Sequence, residues 1–186
     1  MAVKTMAKNT GTGQYNAGWH ELTVSKAVDG KWGDKRTIDL NFEGYPDNMR
    51  HRVFEASNKT TGEEFKIANL FRFACAGIIS VLNDPTGKNP VIQYDDEVTN
   101  LVNTRVNVLF VKETSTTDGK EYSKTFDLVP VAQETEHITW TDDDVARLKK
   151  NTEKQYTKRT ATTTNGVGTV NVDTTSTTTG DVEIPF

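Results

Sequence analysis

Glu63–Leu82, EEFKIANLFRFACAGIISVL, is the stretch whose reading decides the fold. Ile67, Phe71, Ala74, Ile78 and Leu82 recur at the three- and four-residue spacing of one helix face, which predicts a long amphipathic helix over 63–82. Asn83-Asp84-Pro85 would stop it. Lys66, Asn69 and Arg72 interrupt the apolar run, so nothing in the chain approaches the roughly 20 apolar residues of a membrane span. Such a helix must bury its apolar face against something else, and the flanking sequence supplies a sheet.

On the N-terminal side the period is two. Leu22 and Val24 suggest a strand over 18–28, and Ile38, Leu40 and Phe42 alternate with Asp39, Asn41 and Glu43 in a second. Asp29-Gly30-Lys31-Trp32-Gly33-Asp34 reads as the loop between them. A third strand over 49–56 puts Met49, His51 and Val53 on one face and Arg50, Arg52 and Phe54 on the other. On the C-terminal side, 96–102 adds a short helical turn, and strands are expected over 104–113 and 121–131, with Asp118-Gly119 at the hairpin tip. Thr141 with Asp144 approximates a capping box for a last helix to about Lys150. The predicted class is mainly β with α: a five-stranded barrel with a long helix between strands 3 and 4, which is the oligonucleotide/oligosaccharide-binding (OB) arrangement.

The domain expectation is a flexible arm over 1–17, an OB domain with its C-terminal helix over 18–151, and a disordered tail over 152–186. That tail has 12 threonines in 35 residues, too little apolar surface to offset the entropy of ordering. It carries three basic and four acidic side chains, which leaves 19 basic against 22 acidic before it. The net charge of -4 at first argues against a nucleic-acid partner; resolved along the chain, it becomes a near-neutral domain with an acidic end.

Chemistry is excluded more readily than assigned. A single cysteine, Cys75, leaves no disulfide framework or cysteine zinc cluster and points to a reducing compartment. His20, His51 and His137 show neither ligand spacing nor a nucleophile constellation. Asp142-Asp143-Asp144 is better read as helix capping than as a metal site, and Asp84–Lys88 lacks the parts of a phosphate loop. No cofactor, metal or catalytic residue is expected. What remains is basic and aromatic: Lys31, Trp32, Lys35 and Arg36 in the first loop, Tyr45 in the next turn, Arg50, Arg52 and Phe54 on strand 3, and Lys112, Lys120, Tyr122 and Lys124 on the last hairpin. Cations that track phosphates and rings on which bases stack are the requirements of sequence-tolerant binding to single strands.

The chain ends Asp181-Val182-Glu183-Ile184-Pro185-Phe186. A terminal Phe offers a ring and an α-carboxylate together, Pro185 limits conformational loss, and Asp181 and Glu183 steer toward a basic surface. This resembles the C-terminal tip of bacterial and phage single-stranded DNA-binding proteins, several acidic residues followed by Ile-Pro-Phe; Val182 departs from that pattern and thins the charge. A second resemblance rests on Ala17-Gly18-Trp19-His20-Glu21, the strand over 38–42, Arg52-Val53-Phe54, and the helix with Ala76-Gly77-Ile78. In that order they are similar to a family of small phage proteins taken to be OB-fold single-stranded DNA-binding proteins. The resemblance implies a non-enzymatic protein that coats ssDNA in phage replication, recombination or repair, in the host cytoplasm. It also implies that the tip residues Asp181, Glu183, Ile184, Pro185 and Phe186 recruit a polymerase, helicase, nuclease or recombinase. A homodimer through the helix or a sheet edge stays open. The rivals are a virion β-barrel adaptor that uses the tail for assembly and a metal-dependent nuclease.

Overall fold

The computed structural model describes residues 15–83 and 90–164. Strands β1 (Gly18–Trp32), β2 (Lys35–Phe42) and β3 (His51–Phe54) are followed by helix α1 (Lys66–Ala74) and the hairpin β4 (Ile78–Asn83) and β5 (Pro90–Tyr94). A 3-10 turn (Val98–Leu101) leads into β6 (Arg105–Thr114) and β7 (Glu121–Pro130); the short β8 (Gln133–Glu134) and β9 (Thr139–Trp140) precede helix α2 (Asp142–Thr164). The main sheet is antiparallel with the order β3-β2-β1-β6-β7.

β1 is the strand around which this sheet turns. Its first half, Gly18–Thr23, pairs with β6, and its second half, from Val24, pairs with β2. An irregularity between Val24 and Lys26 marks the changeover, where Val24 N–H donates to the Thr104 carbonyl and accepts from Asn103 N–H at its own carbonyl. Bent there, β1 lets Leu22, Val24, Ile38, Leu40, Phe42, Val106, Val108 and Phe110 face one another in a single core, against which α1 buries Ile67, Leu70, Phe71 and Ala74.

The sheet does not close into the expected barrel. No backbone hydrogen bond joins β3 to β7 among the described residues, and only side chains cross that seam. Thr125 Oγ1 donates to the Arg50 carbonyl at 3.2 Å and lies 3.1 Å from His51 Nδ1. A hydroxyl has one proton to give, so His51 donates from Nδ1.

The long helix is also corrected. α1 ends at Ala74, with Cys75 left-handed at φ 50, Cys75 N–H bonded to the Arg72 carbonyl and Ala76 N–H to the Phe71 carbonyl. Gly77 follows at φ 62, and a Cβ there would collide with the Asp95 carbonyl oxygen, whose own residue donates N–H to Gly77 O at 2.8 Å. Beyond this forced turn Ile78-Ile79-Ser80-Val81, three of them β-branched, is strand, not helix. The start of α1 is held by Glu64, whose carboxylate accepts from Ile67 N–H and Ala68 N–H at 2.8 and 2.9 Å.

Two boundaries move as well. α2 starts where expected, with Asp144 N–H donating to Thr141 Oγ1, but runs through Thr164 rather than stopping near Lys150. Tertiary packing extends it: Tyr156 meets Phe126 of β7 edge-on at 5.0 Å, and Trp19 Nε1 donates to Glu153 at 2.7 Å. The N-terminal arm is anchored by Tyr15, whose N–H donates to Ser123 Oγ while Ser123 Oγ–H donates back to Tyr15 O. Residues 1–14 and the tail beyond Thr164 lie outside the described residues. Among those described, no helix is long and apolar enough to cross a membrane.

Candidate nucleic-acid interface

Asp29–Trp32 is strand rather than loop. The β1–β2 hairpin pairs Trp32 with Lys35 across a two-residue turn, in which Gly33 takes φ 60. Because Ile38, Leu40 and Phe42 point into the core, alternation puts Thr37, Asp39 and Asn41 on the other face of β2, where Thr37 is nonetheless buried, and with them their β1 partners Gly30, Val28 and Lys26. β3 is shorter than the expected 49–56, but the faces are as read: Met49, just ahead of it, His51 and Val53 are buried, and Arg52 and Phe54 stand outward opposite Asp39 and Thr37.

One face therefore gathers Val28 and Phe54, each 41% exposed, Trp32, 65% exposed, and the guanidiniums of Arg50 and Arg52. Asp39 organises it. Arg52 Nε and Nη2 donate to the two Asp39 oxygens at 2.6 and 2.7 Å, Arg50 Nε adds a contact at 3.3 Å, and these cations hold the Asp39 carboxyl below its ordinary range. Locked this way, the Arg52 guanidinium lies 5.9 Å from the centre of the Trp32 ring. Two guanidiniums share one carboxylate, so this patch keeps a net positive charge. Gly30 lies between Val28 and Trp32 in the β1 row and leaves a bare stretch of backbone beside Thr37 and Phe54.

Of the remaining predicted residues, Lys35 shares that face and the other described ones do not. Arg36 points to the opposite side of the hairpin, where Asp29 takes it bidentately and Asp96 binds Nη1, both carboxylates raising its pKa. Lys31, its cross-strand partner, shares that side. Tyr45 is a half-buried wedge against the core, with ring centres 4.9 Å from Tyr15 and 5.4 Å from Phe110, and burial pushes its phenol pKa up. Lys35 is exposed beside Trp32 at the hairpin end. On the β6–β7 hairpin, Lys112 faces Glu121 at 3.7 Å, Lys124 pairs with Glu113, and Tyr122 O–H donates to Asp118 at 2.5 Å. Lys120 is exposed at that hairpin's tip. The tip residues Asp181, Glu183, Ile184, Pro185 and Phe186 lie outside the described residues.

Val28, Gly30 and Lys26 were missed because 29–34 reads locally as a turn; the signal was the unbroken alternation Lys26, Val28, Gly30, Trp32. Cys75 is half-buried at the end of α1, where burial raises its pKa and so disfavours the thiolate. Among the described residues, no group of three or more His, Cys, Asp or Glu side chains is placed to hold a metal ion. No protein-family model matches the chain, and no curated protein matches it.

Proposed function

We propose that the chain is a non-enzymatic single-stranded DNA-binding protein of OB type, which holds unpaired DNA on the outer face of β1, β2 and β3. The observation that carries this reading is the patch of Trp32, Phe54 and Val28 around Arg50 and Arg52, on strands whose other side is the core. Bases stack on exposed rings whatever their identity, at about 1–3 kcal/mol each, and guanidiniums meet phosphates. Strand order, the bent β1 shared by both halves of the sheet, and a helix between β3 and β6 support an OB reading with an unsealed β3–β7 seam. The biological setting would be protection of ssDNA in phage replication, recombination or repair in the host cytoplasm. Asp181, Glu183, Ile184, Pro185 and Phe186 would recruit partner replication proteins.

Tryptophan fluorescence provides the test. Trp140 is buried and Trp19 is packed under α2, so oligo-dT should quench chiefly Trp32. Quenching that weakens with salt and is lost in Trp32→Phe supports the reading. A chain whose fluorescence ignores oligo-dT at low salt would be an assembly protein instead. That second reading has its own observation, the exposed Ile79, Leu82 and Val91 of the β4–β5 hairpin.

A further inference from the structure

α2 has two unlike sides. Val145, Thr152 and the half-buried Leu148 and Tyr156 form the stripe that docks on the sheet. Lys150, Lys154 and Lys158 recur every four residues on the exposed side and line a shallow open depression with Glu153 and Thr157. Between 149 and 159 the helix carries five basic residues and one acidic, Glu153, whose carboxylate is engaged by Trp19. Lys149 lies over the Trp19 ring, its Nζ 5.5 Å from the centre.

On the stacking face itself Asp39 holds Arg52 and Arg50, while Lys26 and Lys35 stand exposed on the same side. We infer that Lys150, Lys154 and Lys158 form a second DNA contact, a ridge that binds the phosphate backbone of a strand whose bases lie on the Trp32 face. Successive lysines rise about 6 Å along the helix axis, a step of the same order as that between phosphates of an extended strand. The ridge and the stacking face are joined through β1, whose first half runs under α2 at Trp19 and whose second half carries Val28 and Trp32. This inference rests on the proposed ssDNA function and extends its footprint.

The test compares the full chain with Lys150→Gln/Lys154→Gln/Lys158→Gln, all three exposed, on two oligo-dT probes. One is about 5 nucleotides, at the short end of an OB site; the other is about 30, well beyond it. The variant should lose at least several-fold affinity for the long probe, and its salt slope should fall by about 2, roughly 0.7 for each lost phosphate contact. Short-probe affinity and quenching of Trp32 should not change. An unchanged salt slope, or equal losses on both probes, would overturn the ridge. Tighter binding by the variant would also overturn it and assign the lysines to the chain's own acidic terminus. If wild type binds neither probe, the ssDNA function itself fails and the ridge with it. A ridge effect on the long probe, with Trp32→Ala silent on both, would overturn the shared footprint, since the strand's bases would not lie on the Trp32 face.

Discussion

Asp39 is the hinge of the candidate face: its two carboxylate oxygens hold the Arg52 fork, and the same guanidinium lies 5.9 Å from the centre of the Trp32 ring. A carboxylate at the centre of a patch proposed to bind DNA would both oppose that function and position it. Its charge repels phosphate, while its geometry holds Arg52 over the indole.

Asp39→Asn separates these effects. Removing the negative charge releases Arg50 and Arg52, so affinity for oligo-dT at low salt should rise and the salt slope should steepen by about 0.7, one further phosphate neutralised. Stability should fall by roughly 1–3 kcal/mol, since hydrogen bonds between charged partners are lost on a half-buried strand pair. Salt titrations of fluorescence quenching, with urea unfolding alongside, read both. Weaker binding with a shallower slope would mean that Arg52 acts only in the pose Asp39 imposes.

Tyr45 carries the opposite expectation. Wedged between Tyr15 and Phe110, it supports the end of the core and reaches no part of the Trp32 face. Tyr45→Ala should cost about 2–4 kcal/mol of stability, in the range of large-to-small aromatic truncations, and leave ssDNA affinity unchanged where the protein is folded. A selective loss of binding at unaltered stability would return Tyr45 to the interface.

The faces of β2 and β3 were legible because one side of each is buried: period-two alternation placed Ile38, Leu40, Met49 and Val53 inside and Arg52 and Phe54 outside without any knowledge of partners. What decides Arg36 is different. Its side chain is captured by Asp96, 60 positions away, and no local pattern announces a tertiary ion pair. The helix over 63–82 misled for a third reason. Ile78 and Leu82 continue the four-residue spacing by coincidence, while the chain has already turned at Cys75 and Gly77. α2 outran its expected end because Tyr156 and Glu153 find partners on β7 and β1, so the threonine-rich composition is overridden by packing.

Gly77 is the residue that converts helix to hairpin, and Gly77→Ala should be disproportionately harmful. Alanine would need the left-handed backbone at φ 62 and would drive its methyl into the Asp95 carbonyl. Strain and displaced backbone together predict a loss of at least about 2 kcal/mol in denaturant unfolding, well above the cost of an ordinary surface Gly→Ala change. A loss below about 0.5 kcal/mol would mean that the β4–β5 hairpin shifts freely relative to α1.

His51 gives the seam between β3 and β7 a pH dependence. It is fully enclosed, and burial pulls its pKa from 6.5 down to about 4; Lys66 adds to that shift, while Asp127 and Asp39 oppose it. The unfolded chain binds this proton near pH 6.5 and the folded chain does not, so stability should decline as pH falls from 6.5 toward 4, by up to about 3 kcal/mol. Asp39, whose pKa is lowered by Arg52, loses its own contribution only as pH falls below its unfolded value of 3.8, so the two effects occupy separate windows. Thermal unfolding at half-unit steps should trace the decline in wild type and a nearly level line over the same range in His51→Gln, where an amide N–H can still donate to Thr125. A wild-type profile that is level from pH 6.5 to 4.5, or a variant with the wild-type slope, would mean that His51 takes up its proton at the seam without opening it.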